Sequence, residues 1–437
     1  MENEFYNEDI NENANIIPEI QPVKKKTNWF SVAIAVSGCV ALLTALAILV
    51  LQGMKSEQKP EETTLSTQTQ NDTTLPTFDL PTYYVSDEVA AEKADVVVAQ
   101  VGDRTLTNSQ LQILYCMQVE EFLQRYGTSY FDYTMPLSDQ LISGQSGRSW
   151  QKYFIDMAVN MWQRYQIFAM YAETENYESI NEFMDTLNQL YADLENMAIE
   201  DGFENADAMI QADMGVGCTV DDYIGYITLR NVAILYLNEQ YVALVPDMNT
   251  LEEYFTENES TYKKNGITKD SGLAVDVRHI LVQLDEPAAD TYGKVTYTEE
   301  QWAQCLEKAE GLLNEWKSGE ATEESFAELA NKNSKDGGSN TNGGLYQQVQ
   351  KGEMVETFDA WIFDESRISG DTGIVKTDFG YHIMYFVNSE EIWIAAAKED
   401  YISEKIDEMI AAGEEKYPLS FNIDNVALTD IYSTTAE

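Results

Sequence analysis

The sequence predicts an α+β protein: a mostly helical lobe with a strand-and-helix module inserted before its last segment, behind one apolar N-terminal helix. Three observations carry this. Apolar residues recur at spacings of three and four through long stretches between about 107 and 263. A strand, helices and two further strands follow in order between 275 and 387. Near the start, FSVAIAVSGCVALLTALAILVL (Phe30–Leu51) runs without a charge.

Residues 1–28 read as a polar tail. The uncharged run is long enough to cross a bilayer, which places a transmembrane helix at 29–54. Lys24, Lys25 and Lys26 precede it closely, whereas Lys55 and Lys59 are the nearest basic residues after it. The positive-inside rule then puts the N-terminus in the cytoplasm and the remainder outside. Val36-Ser37-Gly38-Cys39 also fits a bacterial lipobox, in which acylated Cys39 replaces the span by a lipid anchor. The apolar run continues well past Cys39, which favours the span, and it is too long for a cleaved signal peptide. Residues 55–93 are rich in Thr, Ser, Gln, Glu and Pro and read as a disordered stalk. Fully extended, it reaches on the order of 130 Å.

The helical lobe is expected at 94–268. Val96–Val101 is a β-branched strand, Gly102-Asp103 a turn, and Thr107 the cap of a helix to about Arg125. Further helices are expected at about 149–173, 180–201, 219–243 and 250–263, with Thr219 and Thr250 at two starts and Pro246 between them. The lobe is unusually rich in Met, Tyr and Phe. Ordinary core explains them, and so does a groove of adaptable side chains that holds unfolded segments.

The inserted module spans 270–390. Val275–Leu284 reads as a strand, and 298–317 and 322–333 as helices capped by Thr298 and Thr322. A glycine-rich loop (336–344), a short helix near 353–363 and two strands ending in Tyr381–Val387 complete it. Residues 391–437 supply a helix (Ile392–Ala412) and a strand (Phe421–Ile431) expected to pack back on the lobe.

Composition excludes several functions. Against 75 Asp+Glu stand 27 Lys+Arg, giving a net charge of −48. Such a chain does not neutralise phosphates, so no nucleic-acid partner is expected. Two histidines leave no room for a multi-histidine zinc site, and no metal or cofactor is expected. The four cysteines are far apart; a Cys116–Cys218 bridge stays open.

Both histidines, His279 and His382, fall in strands of the inserted module. Around them, Arg278-His279-Ile280-Leu281-Val282, Phe326-Ala327-Glu328-Leu329-Ala330, Asn342-Gly343-Gly344-Leu345, Gly352–Phe358 and Gly373–His382 occur in order with consistent spacing. Over about 275–388 the chain resembles a parvulin-type peptidyl-prolyl cis-trans isomerase. The strand–turn–helix at 96–125 and the final helix resemble the chaperone lobe of PrsA- and SurA-like extracytoplasmic foldases of bacteria.

The resemblance implies a catalytic set of His279, Asp336, Thr377 and His382. It implies a proline pocket from Leu345, Met354 and Phe358. Gln348 and Phe379 complete the expected substrate-binding set but depart from the family pattern, the first making one wall more polar, and both are expected to bear on substrate choice or turnover. Rotation about an X–Pro bond crosses roughly 20 kcal/mol of amide resonance but breaks no bond, so side chains alone suffice. The acidic loop Gln283–Asp290 is expected to repel phosphorylated substrates. The implied partners are unfolded, newly exported proteins, with the catalytic region outside the bacterial cell membrane. A binding-only chaperone is the rival.

Overall fold

The computed structural model describes residues 80–142, 147–175, 179–284 and 293–433. The expected membrane span, Cys39, the start of the stalk and most of the acidic loop lie outside these residues. Among the described residues, no helix is long and apolar enough to cross a membrane.

The fold begins inside the segment read as stalk. Helix α1 (Asp87–Lys93) follows a stretch in which Tyr84 bridges Leu428 and its hydroxyl meets that of Tyr115 at 2.7 Å. The stalk reading is therefore corrected for 80–93: its apolar anchors are tyrosines whose partners lie in the helical lobe and at Leu428, far along the chain. Strands β1 (Val97–Val101) and β2 (Arg104–Thr107) form a hairpin, and Thr107 and Gln110 close a reciprocal cap on α2 (Asn108–Tyr126).

Helices α3 (Trp150–Thr174), α4 (Ser179–Glu200), α5 (Ala206–Met214) and α6 (Val220–Ala243) complete the lobe's body. Thr219 and Asp222 cap α6 reciprocally. Asp247, rather than Thr250, caps α7 (Met248–Glu257), because its carboxylate accepts from the Thr250 N–H at 2.8 Å. A short α8 (Glu259–Lys264) follows. Most of the lobe's Met and aromatic residues turn inward. Phe122 meets Tyr130, Phe131, Trp150 and Phe154 at centroid distances of 5.1–5.5 Å, and Met117, Met161, Met209 and Met214 are buried. These residues are core, and the adaptable groove expected of them is not what they form. Cys116, Cys218 and Cys305 are buried free thiols.

The module is a four-stranded antiparallel sheet in the order β4-β3-β6-β5. In chain order its elements are β3 (Leu273–Val282), α9 (Glu299–Ser318), α10 (Glu323–Asn333), β4 (Leu345–Gln350), α11 (Glu356–Ile362), β5 (Thr372–Thr377) and β6 (Gly380–Glu391). Thr298 and Thr322 cap α9 and α10. One face, with Ile280, Val282, Ile383 and Tyr385, packs on Cys305, Ala309 and Phe326 of α9 and α10. The other, with Val275, Val277, Met384 and Phe386, packs on Phe358 and Ile362 of α11.

The module's two chain ends meet: the Ile392 N–H donates to the Gly272 carbonyl at 3.0 Å. Helix α12 (Ile392–Lys416) then returns to the lobe, where Ile402, Ile406 and Ile410 pack with Phe168, Tyr236 and Leu237. Strand β7 (Leu419–Phe421) pairs with β1. The expected strand 421–431 is thus short. Its remainder is fixed by side chains instead: Asn108 Oδ1 accepts from the Ala427 N–H at 2.9 Å and Gln112 Oε1 from the Thr429 N–H at 2.9 Å.

Candidate active site

Two adjacent strands build the centre. The register pairs His279 with Met384 and Leu281 with His382, and strand alternation turns both imidazoles to the α11 face. There Nδ1 of His279 lies 3.0 Å from Nδ1 of His382, and both rings are buried. The hairpin between β5 and β6 brings Thr377 Oγ1 to 2.9 Å from Nε2 of His382. The Phe379 N–H in turn donates to that hydroxyl at 3.1 Å.

The glycine-rich loop supplies the other end. Gly343 and Gly344 hold φ of 74° and 70°, and a Cβ on Gly344 would meet the His279 carbonyl oxygen at 2.2 Å. Arg278, only 1% exposed, anchors the loop by donating to the Asn342 and Gly343 carbonyls at 3.2 and 3.1 Å while pairing with Glu323 at 2.9 Å. Held in this way, the loop places Asp336 Oδ2 at 3.2 Å from His279 Nε2. The same oxygen accepts from the hydroxyls of Ser339 and Tyr346, the latter at 2.8 Å.

These contacts place one proton. A carboxylate only accepts, so Nε2 of His279 carries a proton, shared with Ser339 Oγ at 3.2 Å. One proton lies between the two Nδ1 atoms, and the bond between Thr377 Oγ1 and His382 Nε2 extends the line, so one hydrogen-bonded chain runs from Thr377 to Asp336. The electrostatics agree. Burial, and then the neighbouring His279, hold His382 down to about 3, so it stays neutral near pH 7. The hydrogen bond from His279, with those from Ser339 and Tyr346, keeps Asp336 well below the usual carboxylate range. Burial and Asp336 push Tyr346 up to about 12, so it remains a donor.

Aromatic groups wall this floor. The Phe358 ring stands edge-on to both imidazoles at 5.3 Å, and the Tyr346 ring lies over His279 at 4.8 Å. Met354 is half-buried in the same apolar cluster.

Of the residues expected from the sequence, His279, Asp336, Thr377, His382, Met354 and Phe358 thus come together. Leu345 does not join them by register: it is paired with Arg278, on the alternate face from Tyr346, which takes the place beside His279. Gln348 is exposed in a bulge with φ 54°, its N–H bound to Asp276 Oδ1 at 2.7 Å. Phe379 is half-buried in the hairpin turn, its carbonyl accepting from Gln283 Nε2 at 2.7 Å, and it contributes its N–H to Thr377. Ser339 and Tyr346 were not expected as members. Spacing could have flagged Ser339, three residues after Asp336 in a tight loop, but nothing in the sequence sets the register that brings Tyr346 in.

Chemically, the site offers a desolvated hydrogen-bonded floor, one fixed carboxylate and aromatic walls. Residues 260–390 match the family model of the PPIC-type PPIASE domain. The chain is 30% identical over 187 residues to foldase protein PrsA 1 of Listeria innocua, covering 40% of this chain and 64% of that protein. It is 37% identical over 93 residues to foldase protein PrsA of Exiguobacterium sibiricum, covering 21% of this chain and 29% of that one. The chain therefore spans less than two thirds of the length of these relatives. The crystal structure of PrsA from Bacillus subtilis aligns over 61% of this chain and 86% of its own length, with 18% identity and a TM-score of 0.25. The paired histidines, their carboxylate and the glycine-rich loop all lie within the stretch that matches the PPIC-type PPIASE domain, in a chain similar to PrsA foldases.

Proposed function

We propose that this chain is a membrane-anchored extracytoplasmic foldase, whose parvulin module speeds cis-trans isomerisation of X–Pro bonds while the helical lobe holds exported clients. The observation that carries it is the continuous chain from Thr377 through His382 and His279 to Asp336, covered by Phe358. Unaided X–Pro rotation takes tens of seconds, because the planar amide is favoured by resonance. A site that seats the proline beside Met354, over a floor backed by the buried Phe358, excludes water, and its polar groups can favour the twisted amide over the planar one. Asp336 Oδ1 takes no hydrogen bond among the described residues, which leaves it open to a donor on the bound peptide.

The test is proline isomerisation of a short peptide by the full chain. Activity is expected, and His279→Ala and Asp336→Asn should each lower it while the protein stays folded. Parent activity indistinguishable from the uncatalysed rate, with peptide binding intact, would establish the rival reading, a binding-only chaperone. What favours that rival is the position of Leu345 beside Arg278 and the exposure of Gln348, which leave the pocket less apolar on one side. For topology, protease added to intact protoplasts should remove the folded region; its protection would reverse the proposed orientation.

A further inference from the structure

We infer that Tyr346 is a positioning residue of the site, acting through Asp336 on His279 rather than on substrate. Three donors converge on one carboxylate oxygen: His279 Nε2 at 3.2 Å, the Tyr346 hydroxyl at 2.8 Å and the Ser339 hydroxyl. Ser339 and Asp336 belong to one loop and are three residues apart, so their bond is local. Tyr346 is different. It belongs to the edge strand β4, and its hydroxyl is the side-chain tie from that strand to the loop carboxylate. Its ring also covers the His279 imidazole at a 32° tilt. One side chain thus fixes the two groups whose separation sets the proton on Nε2. Hydrogen bonds to an ionised acceptor are the stronger kind, and both partners here are half-buried, where solvent screens them less. Gly338 gives the hydroxyl its access: a Cβ there would come within 3.2 Å of Tyr346 Oη.

The inference rests on the proposed isomerase reading for its kinetic arm only. Tyr346→Phe in the full chain keeps the ring and deletes the hydroxyl. The rate at saturating peptide is expected to fall about tenfold, the worth of one hydrogen bond to a charged group, with KM changed less than about twofold. In an Asp336→Asn background the same substitution should cost nothing further.

The second arm needs no activity. The chain has two histidines, both in this site, so histidine-selective isotope labelling reports the pair and nothing else. In the wild type the His279 Nε2–H should stay bonded to an ionised Asp336 through the range in which ordinary carboxylates titrate, because its three donors hold Asp336 below that range. Tyr346→Phe combined with Ser339→Ala should bring an acid-induced step in the His279 signals into the ordinary carboxylate range, near pH 4. Unchanged His279 signals in the variants, or an equal loss with and without Asp336, would overturn the positioning role. Displaced signals in a parent that has no isomerase activity would uphold it and refute the isomerase reading alone.

Discussion

Phe358→Ala should unfold the site before it weakens substrate binding. A residue that merely lines an open pocket loses about 1–3 kcal/mol of apolar contact with its ligand when truncated. Phe358, however, is 2% exposed and packs with Val275, Val277, Met384 and Ile362 under α11. Removing it leaves a cavity beside two imidazoles and deletes two edge-to-face contacts. Phe→Ala in such a setting costs about 3–5 kcal/mol, against about 5–15 kcal/mol for a whole domain. With a urea slope of about 2 kcal/mol/M, the midpoint of the module's transition should fall by about 2 M. Phe358→Leu refills most of the space and should lose well under half as much. The assay is urea denaturation of the full chain, with the His279 and His382 signals marking the module's own transition. A midpoint shift below about 0.5 M, with peptide affinity lost, would refute the reasoning and return Phe358 to the pocket wall.

Further outcomes follow from other features. Because His382 is held near 3 when folded but titrates near 6.5 when unfolded, the unfolded chain binds more protons between those values. The stability this contributes is complete above about pH 6.5 and is lost as pH falls; about 2 kcal/mol should go between pH 7 and pH 5, and His382→Gln should flatten that slope in the denaturation midpoint. Arg278→Lys cannot reproduce the fork to Glu323, Asn342 and Gly343, so isomerase activity should fall although Arg278 lies on the sheet face away from the histidines; a wild-type rate would break the link between loop and site. Excising 273–391 and joining Gly272 to Ile392 through a short linker should leave a folded helical lobe, since those residues already share a hydrogen bond of 3.0 Å. Light scattering of an aggregating client should then show retained protection; a folded lobe that protects nothing removes the chaperone role from it.

Much of this was legible in residue order. Thr107, Thr219, Thr298 and Thr322 marked helix starts because capping is local: hydroxyl and N–H lie three residues apart in the chain. The histidine pair was legible because the chain has no others. Strand β4 was not, since Tyr346-Gln347-Gln348 carries no period-two pattern and the bulge at Gln348 interrupts the pairing. The same bulge decides whether Leu345 or Tyr346 faces His279, and that choice depends on a partner strand distant in sequence. Helix α5 was missed because nine residues give too few turns for a periodic signal. Residues 80–93 looked like stalk because Tyr83 and Tyr84 find their partners only in the folded lobe.

Those partners bear on the order of folding. The Asn108 side chain closes on the Asn425 carbonyl, 317 positions later, and Gln112 on Thr429 across the same span. Contacts of such separation raise the contact order and are made late. The inserted module, whose strands pair within its own stretch, can be complete while the chain is still being synthesised. The lobe cannot: its hairpin β1–β2 lacks a third strand, and Asn108 and Gln112 lack their partners at Asn425, Ala427 and Thr429, until residues 419–429 arrive. During that interval the unfinished lobe exposes interior aromatic surface and is itself vulnerable to proteolysis and aggregation. A chain truncated before 419 should therefore accumulate as a stable module attached to a degraded lobe, with the final eleven positions of that closure acting as a check on complete synthesis.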